Sequence, residues 1–410
     1  PASPGLVSGP VKVLKSAKEI DKVKSGDVLV APQTNPDFVP AMKKAVAIVT
    51  DRGGRTSHAA IVSREIGIPA VVGSKNATTV LKDGMVVTVN GAKGEVYKGG
   101  NFRLPTDEEL MMHENIPTAT KVYLNLAEPE FAEKLAKRNV DGVGLLRAEF
   151  MMAGIGTHPK KFIKEGKSKV FIEKLANQLD MFCKSFSPRP IVYRASDFKT
   201  NEYRELIGGK EFEPEESNPM LGYRGAFRYI HDPEVFNLEL EAIKMVREKM
   251  GHKNLWLMLP FVRTVQDLVD VKKLISNAGL YRSSTFKLWL MCEIPSNVIL
   301  IEKFIEKGID GVSIGSNDLT MLILGTDRDN SEVAPEFNEQ DPAVMWAFEH
   351  VIKTCAKYKV TCSMCGQAPS QYVELLEKLV KWGITSVSIS PDAIHNTRQK
   401  IAEIEKKLLS

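Results

Sequence analysis

Between Lys121 and Ser410 the chain repeats one pattern: a short apolar run, a polar residue, then a longer amphipathic segment. The runs are Val122 to Leu126, Gly142 to Leu146, Ile191 to Tyr193, Leu255 to Leu259, Leu288 to Met291, Gly311 to Ile314, Val360 to Met364 and Ser386 to Ile389. Eight strands alternating with helices in a stretch of about 250 residues or more predict an α/β architecture of the (β/α)8, or TIM-barrel, type. Such a barrel places its working residues at the C-terminal ends of the strands. That rule turns a list of runs into a list of candidate site residues.

Upstream, valine-rich runs bounded by Gly, Pro and Asp read as strands of a small β/α domain over residues 1–98. They are Val11 to Leu14, Asp27 to Ala31, Ala45 to Thr50, Ala70 to Val72 and Met85 to Val89. From 99 to 120 the chain turns polar, with Pro105 and Pro117 flanking an acidic, Met-rich stretch, and reads as a partly helical linker. The barrel then occupies 121–410. With 55 basic and 51 acidic residues interspersed, the net charge of +4 provides no basic stripe, so nucleic acid is not an expected partner. No apolar run is long enough to span a bilayer, and five sparse cysteines do not make a secreted disulfide framework. The expectation is a soluble, cytoplasmic chain. Its first residue, Pro1, is read as the start of a fragment or processed product.

The residues following the runs include Arg147, Arg194, Glu293, Asn317, Asp318 and Cys365; Arg224 and Arg328 lie in nearby loops. If the barrel closes, several arginines, two acids and a thiol converge on one mouth. Arginine forks suit phosphate and carboxylate oxygens. Two acids are too few to cage calcium but suit magnesium, which keeps waters and takes oxygens from its substrate. A metal on a carbonyl oxygen stabilises an enolate, and a thiol beside it can move a proton to or from carbon. Taken singly, each arginine also reads as a salt-bridge residue, and Glu293 and Asp318 as acids at helix starts. The Cys362 and Cys365 pair lacks the further ligands that zinc needs, and Cys183, Cys292 and Cys355 read as packed small hydrophobes.

In the first domain, Gly53-Gly54-Arg55-Thr56-Ser57-His58 follows one apolar run and precedes a helical pattern in which Ala59, Val62 and Ile66 share a face. Thr56 or Ser57 reads as the helix cap, and His58 falls in the first turn. There the positive end of the dipole disfavours imidazolium and favours a bound phosphoryl group, so neutral His58 is a candidate nucleophile, with Arg55 beside it to neutralise phosphate charge. The other reading is a structural histidine. The remaining six histidines receive no role.

The string from Gly53 to Gly73 resembles the phosphohistidine signature of the enzymes that use phosphoenolpyruvate (PEP) through a swivelling domain. Gly142 to Phe150, Asn218 to Arg224, Glu293-Ile294-Pro295 and Ser313 to Thr320 are similar to that family's barrel motifs, in the family's order. Met291 to Asn297 and Cys365 to Ser370, with Gln367 after Cys-Gly, most resemble its PEP synthase branch. The resemblance implies a phosphotransferase that makes PEP from pyruvate, with His58 accepting a phosphoryl group that originates from ATP. It implies Mg2+ on Glu293 and Asp318, substrate gripped by Arg147, Arg194, Arg224, Asn317 and Arg328, Cys365 as acid/base, and Asp197 orienting that shell. The branch carries an N-terminal ATP-grasp domain of which this sequence has no sign, so the pyruvate half-reaction alone is expected. Family barrels self-associate, which implies a homo-oligomer. A pyruvate phosphate dikinase or a PEP-protein phosphotransferase is the alternative enzyme, and an oligomeric assembly core the alternative of another class.

Overall fold

The structure is a computed structural model that describes residues 2–54, 57–102, 116–327, 330, 332–366 and 368–409. Two compact units result: Pro1–Asn115 with Ser390–His395, and Ile116–Ile389 with Asn396–Ser410.

The first unit is built on a six-stranded sheet: β1 (Leu6–Val13), β2 (Val28–Ala31), β3 (Ala47–Thr50), β4 (Ala70–Val71), β5 (Val86–Asn90) and β6 (Glu95–Lys98), in the order β4-β3-β2-β1-β5-β6. β1 begins five residues earlier than its apolar run, because its two halves pair differently. Leu6 to Pro10 run antiparallel to β5, while Val11 to Val13 run parallel to β2. Gly9 is required at this join, where a Cβ would lie 2.4 Å from the Gly26 carbonyl oxygen. β6 is not legible as an apolar run because it is a polar edge strand, with three of its four residues exposed. Apolar side chains of β1, β2, β3 and β5, such as Val11, Val28, Val49 and Val87, form the core. The helix His58–Ile66 follows β3 and stops at Gly67, whose φ of 84° is the left-handed conformation that ends helices.

The second unit is the barrel. Its strands are β7 (Lys121–Leu126), β8 (Gly142–Arg147), β9 (Ile191–Arg194), β10 (Leu255–Leu259), β11 (Leu288–Cys292), β12 (Gly311–Ile314), β13 (Thr361–Met364) and β14 (Ser386–Ile389). They close in the order β10-β11-β12-β13-β14-β7-β8-β9, every pair parallel. Strands covered on both faces read as continuous apolar runs, which is why all eight stand out in the sequence. Side chains alternate between the helix layer and the interior. On β11 the inward residues are therefore Trp289 and Met291, with Glu293 next; they pack with Leu145, Val192, Met258 and Cys365 as a filled core. No helix among the described residues is long and apolar enough to cross a membrane.

Gly142 opens β8 at φ 145°, and a Cβ there would lie 2.4 Å from the Pro190 carbonyl oxygen. Gly142→Ala should lower stability by about 1–3 kcal/mol in a guanidinium titration. Gly154→Ala, in the helix Ala148–Ile155 with nothing nearer than 3.8 Å to the new methyl, should raise it by about 0.5–1 kcal/mol.

Candidate active site

At the C-terminal end of the barrel the chain assembles a charged chain of side chains. Arg194 ends β9, and its Nη2 lies 3.1 Å from Glu149 Oε2. Glu149 also accepts the Asp197 backbone N–H at 2.5 Å. Asp197 takes both arms of Arg224, from Nε at 3.0 Å and Nη2 at 2.5 Å, and Arg224 Nη2 continues to Asp318 Oδ2 at 3.2 Å. Bidentate pairing of this kind fixes a guanidinium in plane and position. Burial alone would raise the Asp197 pKa, but the Arg224 charge and hydrogen bonds override it, with help from Arg194, and hold it below the usual carboxylate value. Burial likewise works against the Arg194 charge, and Glu149, Asp197 and Glu293 together more than offset it.

Glu293 follows β11 and is 2% exposed. Its Oε1 accepts the Phe261 N–H at 2.7 Å. Burial, then the nearby charges of Asp197 and Asp318, push its pKa up to about 8 against the pull of Arg194 and Arg224. A carboxylate in that condition is stabilised by an added cation. Glu293 and Asp318 offer hard oxygen donors, and the described residues contain no larger group of His, Cys, Asp and Glu able to hold a metal. A pair of this kind suits a cation that retains water or substrate oxygens as its other ligands.

Glycines in the two motifs make room for these groups. A Cβ on Gly315 would stand 3.1 Å from the Glu293 side chain, and one on Gly366 would lie 1.7 Å from Ser316 Oγ. Ser316 begins the helix Ser316–Leu324 that carries Asn317 and Asp318 in its first turn, and its hydroxyl donates to buried Glu339 at 2.5 Å. Backbone bonds from Gly315 N to Cys292 O and from Cys365 N to Ile314 O, each 3.0 Å, extend the ladder to the mouth. Cys365 is buried there, its Sγ 3.6 Å from Met291 Sδ, and burial pushes its thiol up to about 11, with Ser313 first and then Arg194 and Arg147 drawing it down against Glu293. Arg147 ends β8, half-buried, with its guanidinium 5.6 Å from the Phe150 ring. Arg224 precedes the helix Gly225–His231 instead of ending a strand. Arg328 lies outside the described residues.

Four contributors escape sequence reasoning. Glu149 is two residues beyond Arg147 in the same motif, a signal that was available. Phe261 follows β10, where the strand-end rule points, but its role is played by its backbone. It holds φ 47°, in the left-handed region, and donates to Glu293 while its ring lies 4.0 Å beneath the Arg224 guanidinium. Glu239, fully buried in the helix Pro233–Lys244, accepts from Tyr193 Oη at 2.7 Å and from Ser196 N and Oγ at 3.0 and 2.5 Å. It thereby ties down the segment between Arg194 and Asp197, and nothing in its helical pattern marks it. Thr34, the fourth, belongs to the other unit.

In that unit His58 begins the helix His58–Ile66, and its Nδ1 lies 2.9 Å from Thr34 Oγ1. The loop before it is braced by Asp51, which accepts from the Thr78 N–H at 3.0 Å and from the Thr78 hydroxyl. Ser57, one of the two residues read as the cap, does occupy the N-cap position, with the extended cap backbone (φ/ψ −67° and 158°), but makes no side-chain cap bond; its Oγ is buried without a partner among the described residues. Arg55 and Thr56 lie outside the described residues. Burial lowers the His58 pKa from 6.5 to about 4, a larger cause than the helix dipole invoked from sequence. The unfolded chain therefore binds the proton first: the stability linked to neutral His58 is complete above pH 6.5 and is lost as pH falls through about 4. An NMR titration of the His58 ring should show a midpoint near 4, and a midpoint at the ordinary histidine value would contradict its burial. Removing Asp197 with Asp197→Ala should destabilise the barrel by about 3 kcal/mol in urea, since it takes from buried Arg224 its bidentate partner and leaves it the single contact with Asp318.

Residues 106–406 match the PEP-utilising enzyme, PEP-binding domain, and residues 23–94 match the PEP-utilising enzyme, mobile domain. A probable phosphoenolpyruvate synthase of Staphylothermus marinus is 49% identical over 430 aligned residues, which take in 100% of this chain and 51% of that protein. The phosphoenolpyruvate synthase of Pyrococcus furiosus is 49% identical over 99% of this chain and 51% of its own. That of Helicobacter pylori is 41% identical over 98% of this chain and 52% of its own. The chain spans about half the length of these relatives. With most of its length inside the two matched domains, the chain belongs to the PEP-utilising enzymes.

Proposed function

We propose that this chain performs the PEP/pyruvate half-reaction of a phosphoenolpyruvate synthase, passing a phosphoryl group between His58 and pyruvate. The observation that carries the reading is the assembly of fixed arginines, a carboxylate pair and a buried thiol at one end of the barrel. The names of the relatives support it. In this reading residues 1–98 are the phosphohistidine carrier, 99–120 its tether and 121–410 the substrate barrel. His58 is charged from ATP by a domain outside these 410 residues.

The chemistry follows from the groups on hand. Arg147, Arg194 and Arg224, with Asn317 and Arg328, hold the substrate's phosphate and carboxylate, and Asp197 and Glu149 keep two of those forks aimed. Glu293 and Asp318 are the residues that would hold Mg2+, which would supply Lewis-acid stabilisation to an enolate oxygen. In the direction of synthesis, Cys365 first gives up its own proton to solvent; its thiolate then takes a proton from the pyruvate methyl, which restores the thiol, and the resulting enolate oxygen attacks phosphorus. The phosphorus–nitrogen bond then breaks and leaves neutral imidazole. With its pKa near 11, Cys365 rests as a thiol, and the positive charges of Arg194 and Arg147 make its deprotonation less costly. Nδ1 is engaged by Thr34, and in the tautomer in which Nδ1 donates to that hydroxyl the phosphoryl group falls to His58 Nε2.

Mixing the chain with PEP and Mg2+ should release pyruvate and leave acid-labile phosphohistidine in equal amounts, both lost in His58→Ala. Pyruvate release that survives in His58→Ala would sink the carrier role. Cys365→Ala should slow exchange of the pyruvate methyl protons into D2O by about 100-fold or more while substrate binding persists. Unchanged exchange removes Cys365 from the proton transfer.

A further inference from the structure

The barrel has a second opening. At the N-terminal ends of its strands, on the far side of the core layer of Leu145, Val192, Met258 and Met291, lies a cavity of about 570 Å³. That is the size of small-ligand pockets. Barrel interiors are ordinarily filled by branched aliphatic residues, yet here the floor is aromatic. Trp256 and Trp289 stack with centroids 6.2 Å apart and planes 29° from parallel, and Tyr123 lies beside them.

The rim is cationic. Arg282 is committed to Asp310 through two bonds of 2.9 Å. The lysines are not committed in this way. Lys121 stands 3.5 Å from Asp141, Lys287 stands 3.8 Å from Asp310, and Lys359 makes no ion pair among the described residues. A further polar group waits in the wall: Ser386, 2% exposed, has a buried Oγ with no hydrogen-bond partner among the described residues. An orphaned hydroxyl beside an aromatic floor and surplus positive charge is a costly arrangement for a surface that binds nothing.

We propose that this N-terminal opening is a binding site for a small ring-bearing phosphate of nucleoside monophosphate size. The ring lies on Trp256, which is stacked against buried Trp289 as its support, the phosphate is taken by Lys287, Lys359 and Lys121, and Ser386 hydrogen-bonds a polar atom of the ring or sugar. The site is separate from the arginine-lined mouth, and the proposal stands whether or not the half-reaction above is correct.

Two of the four tryptophans lie in this floor, so intrinsic fluorescence reports directly on occupancy. Guanosine 5′-monophosphate titrated into the full chain should quench saturably, at least tenfold more tightly than guanosine or inorganic phosphate alone. Saturating PEP should leave that quench in place. The paired changes Lys287→Glu, half-buried at the rim, and Lys359→Glu, exposed there, should weaken binding tenfold or more, and Trp256→Leu should do the same. Absence of quenching at millimolar nucleotide overturns the proposal. So does phosphate binding as tightly as the nucleotide, displacement by PEP, or indifference to the rim changes.

Discussion

A single electrostatic conflict organises the barrel mouth. Glu293 is buried beside Asp197 and Asp318, so three carboxylates compete for the same low-dielectric volume. The arrangement holds because two arginines are locked into it, one on Asp197 and Asp318, the other on Glu149. Removing Asp197 leaves buried Arg224 with Asp318 alone, and removing Glu149 takes from Arg194 its nearest partner; weakening the pairing of a buried charge in this way costs more than the pair itself contributes. The backbone takes part as well. Phe261 keeps an unfavourable left-handed conformation in which its N–H meets Glu293 and its ring supports Arg224. Gly225 permits the close approach, since a Cβ there would lie 2.5 Å from Phe261 Cβ.

Burial sets the protonation of the key groups in both units, with opposite outcomes that follow from their charges. It makes His58 a weaker base, so the imidazole stays neutral, and it makes Cys365 a weaker acid, so the sulfur keeps its proton. Neither effect needs a catalytic partner. The arginines near Cys365 then act as a correction on a value that desolvation has already fixed.

How much of this is legible in the sequence depends on whether a feature is periodic or tertiary. The eight barrel strands are legible because a strand buried on both faces must be apolar throughout, and the site residues that directly follow strands inherit that legibility. Arg147, Arg194, Glu293 and Cys365 come from strand ends, and Asn317 and Asp318 from the helix start after β12. Arg224 and Asp197 are reached only through the family resemblance or loop motifs, because their partners are distant in sequence. Glu239 and Thr34 leave no trace at all. Each acts through one or more long-range hydrogen bonds that no spacing rule encodes. The start of β1 is missed for a related reason: Ser8, Gly9 and Pro10 look like a turn, and only pairing with β5 makes them a strand.

The inward alternation along β11 has a consequence for how this segment can change over time. Trp289 and Met291 face the barrel interior, and Glu293 reaches the mouth only because it stands an even number of residues beyond them. Substitutions in Leu288–Cys292 alter packing at one level and leave the levels above in register. Loss or gain of a single residue would instead turn the carboxylate into the helix layer and present Cys292 or Ile294 to the mouth. In this strand the number of residues is therefore under tighter constraint than the identity of any one of them, and indels should be far rarer there than in the helices outside.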